Sequence, residues 1–208
     1  MTLRWIGAIV ATVLLVALAM SGGTKEAAAE ETKTAIFAGG CFWCLEAAFD
    51  EVPGVVETTS GYAGGTKPNP TYGDHEGHQE AVRVVYDPAK VSYAQLLEQF
   101  WHNIDPFDPE GQFCDKGNAY RSVVFVGNDE EKSLAETTRQ EVAGRFKEEV
   151  AGRFKEKVAT EIKPVTTFTP AEDYHQNYHN ENSVSYKFYK WNCGRAQRLA
   201  RIWGAKPS

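Results

Sequence analysis

Apolar and polar residues follow strand and helix periods in turn along the chain from residue 34 onward. The clearest strand signal is the period-two alternation of Glu80–Tyr86, and the clearest helix start is the N-cap residue Ser92. In chain order, the pattern predicts strand Thr34–Ala38, helix Cys41–Asp50, strands Val55–Tyr62 and Glu80–Tyr86, a helix from Ser92 to about His102, and strand Tyr120–Val126. This β-α-β-β-α-β order is typical of an α+β, ferredoxin-like two-layer sandwich, which we expect as the core.

A long added helix and a C-terminal extension are predicted after this core. Asn128-Asp129 opens the helix, and within it Glu141–Glu148 recurs unchanged as Glu149–Glu156. Eight residues are too few for a solenoid repeat, so we interpret the copy as an insertion that lengthens one helix by roughly 12 Å, with a partner-binding helix as the alternative. A last strand is expected within 163–169, and a short basic amphipathic helix within 192–203.

The first 33 residues have a composition of their own. Arg4 precedes an apolar run from Ile6 to Met20, and Ala17-Leu18-Ala19 resembles a small-residue cleavage site. Residues 1–20 are therefore predicted to be a signal peptide, with an uncleaved membrane anchor as the alternative, because a span needs about 20 apolar residues. We expect a flexible spacer at 21–33, a single domain at 34–208, and an exported protein, periplasmic or secreted.

Charge and motifs narrow the function class. The formal net charge is −6, and the sequence has no basic stripe, so nucleic-acid binding is not indicated. The sequence also lacks a phosphate-binding loop and a dinucleotide fingerprint. No bound cofactor is therefore expected.

The junction Gly39-Gly40-Cys41-Phe42-Trp43-Cys44 carries the strongest chemical signal. A strand, a glycine pair and a helix-forming segment would put Cys41 at a helix N-terminus. Unpaired N–H groups and the helix dipole stabilise a thiolate there, and the thiolate is the reactive form of cysteine. Cys44 could then capture the oxidised product of Cys41.

Two other interpretations of the cysteines stay open at this point. An exported protein with four cysteines normally has structural disulfides, here Cys41–Cys44 and Cys114–Cys193. A bridge across so short a spacing removes little chain entropy, which favours a redox role for the first pair. The order strand, turn, Cys-x-x-Cys, helix is also that of a thioredoxin-like thiol-disulfide oxidoreductase.

Further polar and aromatic residues are candidates to surround Cys41. Glu80 opens a strand beside a polar loop, and Phe42 and Trp43 could form the wall of an apolar pocket. Loop residues complete the set: Tyr72, Asp115 and Tyr120. Zinc is a weaker alternative, because the pairs with ligand spacing lie far apart: Cys41/Cys44, His75/His78 and His175/His179.

These motifs together resemble the A-type peptide methionine sulfoxide reductases. The resemblance runs in order from about Thr34 to Tyr178 and rests on Gly40-Cys41-Phe42-Trp43, Ser60-Gly61-Tyr62-Ala63-Gly64-Gly65, Asn69-Pro70-Thr71-Tyr72, Gly77-His78-Gln79-Glu80, Val85-Tyr86-Asp87-Pro88, Phe100-Trp101, Asp115–Ser122 and Ala171–Gln176. It implies a metal-free, ferredoxin-like α+β enzyme that reduces the S-epimer of methionine sulfoxide, free or in proteins.

The resemblance also implies roles position by position. Cys41 matches the nucleophile, and Glu80 matches the acid that protonates the sulfoxide oxygen. A Glu in a partly dry pocket would have the raised pKa that this task needs. The groups that hold the sulfoxide oxygen match Tyr72, Asp115 and Tyr120. The pocket for the substrate methyl group matches Phe42 and Trp43.

This sequence departs from the family at the cysteines that could resolve the sulfenic acid on Cys41. Many members have Gly where Cys44 stands and Asn where Cys114 stands. We expect Cys44 to resolve the sulfenic acid, with Cys193 as the alternative, and Cys114 could instead pair with Cys193 after export. The resemblance further implies a monomer that repairs oxidised proteins and depends on an external dithiol, a thioredoxin-like protein.

Overall fold

A computed structural model describes residues 31–149 and 157–204. The elements are β1 (Lys33–Ala38), α1 (Phe42–Asp50), β2 (Val55–Ala63), β3 (Gln79–Tyr86), α2 (Tyr93–His102), β4 (Gly111–Gln112), β5 (Asp115–Lys116), β6 (Val123–Val126), α3 (Asp129–Glu149), β7 (Glu161–Pro164), β8 (Phe168–Pro170), α4 (Tyr178–Glu181), α5 (Ser183–Asn192) and α6 (Arg195–Trp203). The predicted β-α-β-β-α-β order is present from β1 to β6, interrupted only by the β4–β5 hairpin.

Six strands form one mixed sheet in the order β7-β6-β1-β3-β2-β8. All neighbours pair antiparallel except β6 and β7, which run parallel. The long helix α3 lies in the connection between these two parallel strands, as a crossover requires. The separate β4–β5 hairpin pairs Gln112 with Asp115.

The core packs between β1 and two helices. Phe37 is fully buried, and its ring stacks on Phe49 of α1 and on Tyr93 and Phe100 of α2, with centroids 5.1 to 6.1 Å apart. Side chains of a strand alternate between the two faces, so both helices lie on the face of the sheet to which Phe37 points. The N-terminus of α1 is thereby fixed at the end of β1.

The predicted capping of α2 is confirmed. The Ser92 hydroxyl accepts the N–H of Gln95 at 3.3 Å, and the Gln95 side chain accepts the N–H of Ser92 at 2.9 Å. This reciprocal capping box satisfies two N–H groups that a helix otherwise leaves without partners.

Three predicted elements near the C-terminal half were wrong in their bounds. Strand 120–126 begins only at Val123, because 118–120 form a 3₁₀ turn. Strand 163–169 is two strands on opposite edges of the sheet: β7 ends at Pro164, which has no N–H to continue a ladder, and β8 pairs with β2. The terminal helix begins at Arg195, after the left-handed Gly194, and α5 before it was not predicted.

Several predictions concern residues outside the described ranges. The first copy of the duplicated segment lies in α3, whereas residues 150–156 of the second copy, the segment 1–30 and residues 205–208 are not described. The predicted spacer 21–33 includes Lys33, but this residue already belongs to β1, where it pairs with Tyr86. Among the helices of 31–149 and 157–204, none is long and apolar enough to cross a bilayer.

Candidate active site

The turn between β1 and α1 needs both of its glycines. Gly40 has a φ of +83°, which side chains rarely adopt, and a Cβ there would lie 2.6 Å from Cβ of Gln112. A Cβ on Gly39 would lie 2.6 Å from Cγ2 of Ile104. The close packing of this turn makes Cys41 the N-cap residue of α1. Its predicted place at a helix N-terminus is therefore confirmed.

Cys41 and Cys44 are both free thiols and both buried. The backbone N–H of Cys44 donates to the Cys41 carbonyl at 3.0 Å, and the two thiols lie in one buried cluster with Tyr186. Burial and then the neighbouring Cys44 raise the pKa of Cys41. The pKa of Cys44 falls to about 6, because Cys41 donates a hydrogen bond to its thiolate and Arg195 and Lys190 add positive charge.

The expectation of a low pKa at Cys41 was therefore wrong for the resting pair. The helix N-terminus is present, but desolvation outweighs it at Cys41, whose pKa is raised, whereas the pKa of Cys44 is lowered. Since the two thiols lie in one buried cluster, a proton moved from Cys41 to the Cys44 thiolate creates the Cys41 thiolate without releasing a proton to solvent.

Glu80 lies against the first turn of α1. Its Oε2 accepts the backbone N–H of Phe42 at 3.0 Å, and its side chain is buried. Burial raises the pKa of Glu80 to about 8, the negative charge of Asp115 adds to that rise, and the N–H of Phe42 offsets part of it. The carboxyl is thus a neutral acid at pH 7, as the sequence predicted.

A small cavity of about 50 Å³ joins these groups. Tyr189, which was not predicted, lines this cavity. All of the predicted catalytic and pocket residues line it too: Cys41, Phe42, Trp43, Tyr72, Glu80, Asp115 and Tyr120. Their elements are far apart in the chain, so the fold has brought together what the sequence only suggested. Burial raises the pKa of the Tyr72, Tyr120 and Tyr189 phenols, which therefore remain protonated donors.

Tyr189, from α5, links the two sides of this cavity. Its hydroxyl donates to Oδ2 of Asp115, which the β4–β5 hairpin presents. The same proton can be donated instead to the Cys41 thiolate, which partly lowers the pKa of that thiol. Burial raises the pKa of Asp115, and the Tyr189 hydrogen bond partly offsets that rise. On the same helix, Tyr186 packs in the buried cluster that contains Cys41 and Cys44.

Aromatic rings support the two residues after Cys41. Trp43 stacks on Tyr178 with ring centroids 3.8 Å apart and planes within 10°. Phe42 is buried against His175, at 5.1 Å, and Tyr62, at 6.0 Å. Such packing fixes both side chains at the cavity wall.

The segment that carries these rings is fastened to β2 by an amide. Gln176 accepts the backbone N–H of Ser60 at 2.9 Å and donates to the Ser60 and Ala171 carbonyls at 3.0 and 2.9 Å. Glu172 accepts from the N–H of Tyr72 at 2.9 Å and from the hydroxyl of Tyr62 at 3.0 Å. The C-terminal extension therefore completes the site.

Cys114 and Cys193 form a disulfide, with Cα atoms 4.9 Å apart across 79 residues of sequence. The bond ties the end of α5 to the hairpin next to Asp115. In this state Cys193 is not a free thiol.

The histidine pairs do not form a metal site with the thiols in the part of the chain that is described. His75 Nδ1 contacts the Thr71 carbonyl at 3.0 Å, and His78 Nε2 contacts the Lys67 carbonyl at 2.9 Å. The one group of close ligand atoms among these residues is Cys114, Asp115 and Cys193, whose two sulfurs are already bonded.

Sequence reasoning missed Tyr189, Tyr186, Tyr178 and His175 as members of the site. The signal for His175 was present, since it belongs to the motif Ala171–Gln176. The signal for the phenols was the three-residue spacing of Tyr186 and Tyr189, which places both on one helix face once α5 is recognised.

A nucleophilic thiol beside a neutral buried acid suits a substrate whose oxygen accepts a proton while another atom accepts sulfur. The second thiol can take up the oxidised product as a disulfide. The fold and the site thus define a thiol-dependent reductase of a small oxygen-bearing group.

Comparison with known proteins specifies this class. The family model of peptide methionine sulfoxide reductase matches residues 33–207. The peptide methionine sulfoxide reductase MsrA 2 of Caulobacter vibrioides is 48% identical over 193 residues, covering 90% of this chain and 94% of the relative. MsrA of Bacillus subtilis is 42% identical over 183 residues, covering 85% and 99%. The chain belongs to the peptide methionine sulfoxide reductase family, A type.

Solved structures agree with this assignment. Methionine sulfoxide reductase A of Corynebacterium diphtheriae superposes with a TM-score of 0.63 at 32% identity, covering 76% of this chain and 78% of that one. Reduced Mxr1 of Saccharomyces cerevisiae gives 0.62 at 29% identity, covering 74% and 87%. The curled six-stranded sheet with its helices is therefore the architecture of this family.

Proposed function

We propose that this protein reduces the S-epimer of methionine sulfoxide, free or within oxidised proteins, to methionine. The observation that carries the proposal is the small cavity that Cys41 and the neutral acid Glu80 line together. Family membership supports methionine sulfoxide reduction as the reaction.

In the first step the Cys41 thiolate attacks the sulfoxide sulfur while Glu80 donates its proton to the oxygen. Three polar groups line the cavity and would hold that oxygen: Tyr72, Tyr120 and Asp115. Phe42 and Trp43 would take the methyl group against their rings. The S–S bond that this attack forms breaks as the hydroxyl moves from the substrate sulfur to the Cys41 sulfur, which leaves methionine, a sulfenic acid on Cys41 and the Glu80 carboxylate. The thiol proton of Cys41, held on Cys44, leaves with the hydroxyl as water in the next step, and Glu80 regains a proton from solvent.

We assign the resolving role to Cys44. Its thiol lies in the same buried cluster as Cys41, whereas Cys193 is bonded to Cys114. Attack of Cys44 on the sulfenic sulfur forms the Cys41–Cys44 disulfide and releases the hydroxyl as water. A thioredoxin-like dithiol would then reduce this disulfide by exchange and become oxidised itself.

The setting and the finer description of the fold complete the proposal. The predicted signal segment supports repair of oxidised proteins outside the cytoplasm, by a monomer that an uncleaved segment could anchor. The order β6-β1-β3-β2, antiparallel throughout, supports the ferredoxin-like description of the central strands.

The deciding experiment gives the protein a dithiol and each epimer of a methionine sulfoxide peptide separately. We expect reduction of the S-epimer only, and none by Cys41→Ser, with Cys114→Ser as a matched control that keeps the nucleophile. Disulfide exchange on a scrambled protein without reduction of either epimer would instead support the thioredoxin-like alternative.

A further inference from the structure

Helix α5 has two faces of opposite character. One face carries Tyr186 and Tyr189, which pack against the two catalytic thiols. The other carries three apolar side chains with exposed fractions of 82%, 66% and 68%: Val184, Phe188 and Trp191. Their spacing of four and three residues makes one continuous stripe, which we call the outer stripe.

The outer stripe does not belong to the sulfoxide site. At 100° per residue, the stripe lies on the side of α5 opposite Tyr186 and Tyr189. The Phe188 and Trp191 rings contact each other with centroids 6.1 Å apart. A peptide bound in the cavity would be separated from this surface by the helix itself, so the stripe needs an occupant of its own.

The charge around the stripe is positive although the chain as a whole is acidic. Glu181, at the end of α4, is the nearest acidic residue before α5. Residues 183–203 include no Asp or Glu, and they include five basic residues: Lys187, Lys190, Arg195, Arg198 and Arg201. Arg195 and Arg198 are directed inward, to the Asn103 carbonyl and to Asp105. Lys187, Lys190 and Arg201 are exposed, and the net charge of the whole chain is −6.

We propose that the outer stripe of α5 docks on the surface of an anionic lipid bilayer. Trp and Phe are favoured at the level of the lipid headgroups, and lysines beside them are attracted to anionic lipid.

The N-terminal sequence supports the same occupant. The apolar run from Ile6 to Met20, if retained, lies in the bilayer, and the spacer 21–33 connects it to β1. If the predicted spacer is flexible, a chain of this length would span about 20 Å on average, which would keep the domain close to the lipid surface. Docking through α5 would then orient the domain instead of leaving it free to rotate.

The test uses the full chain with vesicles of phosphatidylcholine, alone or mixed with phosphatidylglycerol, both containing brominated phosphatidylcholine. Bromine quenches tryptophans that enter the bilayer, and the difference between the wild type and Trp191→Phe isolates the signal of Trp191. We expect this signal to be quenched severalfold more in the anionic vesicles. We expect Phe188→Ser with Lys187→Gln to reduce that quenching severalfold, while Val56→Ser, at an equally exposed apolar residue on β2, leaves it unchanged.

Three results would overturn the proposal. The first is equal quenching of Trp191 in the neutral and anionic vesicles, and the second is equal quenching in the double variant and the wild type. The third is lipid-free self-association in sedimentation equilibrium that Phe188→Ser abolishes, which would assign the stripe to a second copy. Reduction of free methionine sulfoxide by each variant shows that it is folded, and it also tests the proposed function separately from the docking.

Discussion

The backbone N–H of Phe42 donates a 3.0 Å hydrogen bond to Oε2 of Glu80, so the acid is joined to the helix turn that Cys41 caps. One peptide group therefore fixes the distance between the nucleophile's helix and the proton donor. Because this N–H favours the ionised carboxylate, the neutral acid persists only through burial, which raises the pKa of Glu80 to about 8.

The pH dependence of the reaction follows from this acid. Only the protonated form of Glu80 can donate a proton to the sulfoxide oxygen, so the rate of reduction should fall as pH rises through about 8. Single-turnover rates with free methionine sulfoxide from pH 6 to 9.5 measure this limb. Glu80→Gln should lower the rate by about 10²–10⁴-fold and abolish the limb. A Gln variant that keeps the limb would assign it to another group.

Tyr189→Phe removes the hydroxyl shared by Asp115 and Cys41. Since that hydrogen bond lowers the pKa of Cys41, we expect the pKa for alkylation of Cys41 to rise and the reduction rate to fall about tenfold. Peptide mapping after timed alkylation at several pH values provides the measurement. Tyr174→Phe, at an exposed phenol, is the control, and an identical effect of both changes would contradict a specific role.

Cys44→Ser separates the two halves of the cycle. We expect one methionine per enzyme in the absence of reductant, followed by arrest, because the sulfenic acid on Cys41 has lost its neighbouring thiol. Mass spectrometry should find the oxidised Cys41 or its adducts. Cys193→Ser should turn over repeatedly with a dithiol; arrest of Cys193→Ser with continued turnover of Cys44→Ser would transfer the resolving role to Cys193.

Glu46 predicts a dependence of stability on pH that is separate from catalysis. It is fully buried, and burial raises its pKa to about 7, with His179 Nδ1 3.9 Å from Oε2. The unfolded carboxyl ionises first, so stability falls as pH rises from about 4.5 through 7. Glu46→Gln should therefore be more stable than the wild type at pH 8, by about 1–3 kcal/mol, and the gain should shrink toward pH 5. Urea denaturation at pH 5 and pH 8 provides the measurement. The same difference in free energy of unfolding between variant and wild type at both pH values would contradict the raised pKa of Glu46.

The Cys114–Cys193 bond is expected to stabilise the fold, because it closes a loop of 79 residues. Its loss in Cys114→Ser should cost about 2–4 kcal/mol in oxidising buffer. Adding a reductant should bring the wild type to the same unfolding midpoint while leaving the variant unchanged. A wild type that is insensitive to the reductant would show that the bond contributes nothing to stability.

The central elements could be predicted because their signals are local. The alternation of Glu80–Tyr86 and the cap at Ser92 need only neighbouring residues, and both are present. The separation of 163–169 into strands on opposite edges could not be predicted, because the pairing partners Val126 and Gly61 are far away in sequence.

The candidate site likewise has residues that could be predicted from the sequence and residues that could not. Cys41 and Glu80 stand in distinctive motifs, whereas Tyr189 is one phenol among several until α5 is docked on α1. The pKa of Cys41 was predicted in the wrong direction, since a sequence shows the helix N-terminus but not the depth of burial or the hydrogen bond to Cys44.

The side-chain amide of Gln176 attaches the C-terminal part of the chain to Ser60 of β2. Ser60 exchanges two hydrogen bonds with this side chain much as it would with a neighbouring strand, and this attachment is the first of several that hold the last part of the chain, including Tyr189, against the domain. A chain still being synthesised would already hold Cys41 and Glu80 in a folded sheet, yet it would have an open and wet cleft. The cleft closes only when the last fifth of the sequence has docked, so a nascent or clipped chain does not carry a finished reductase.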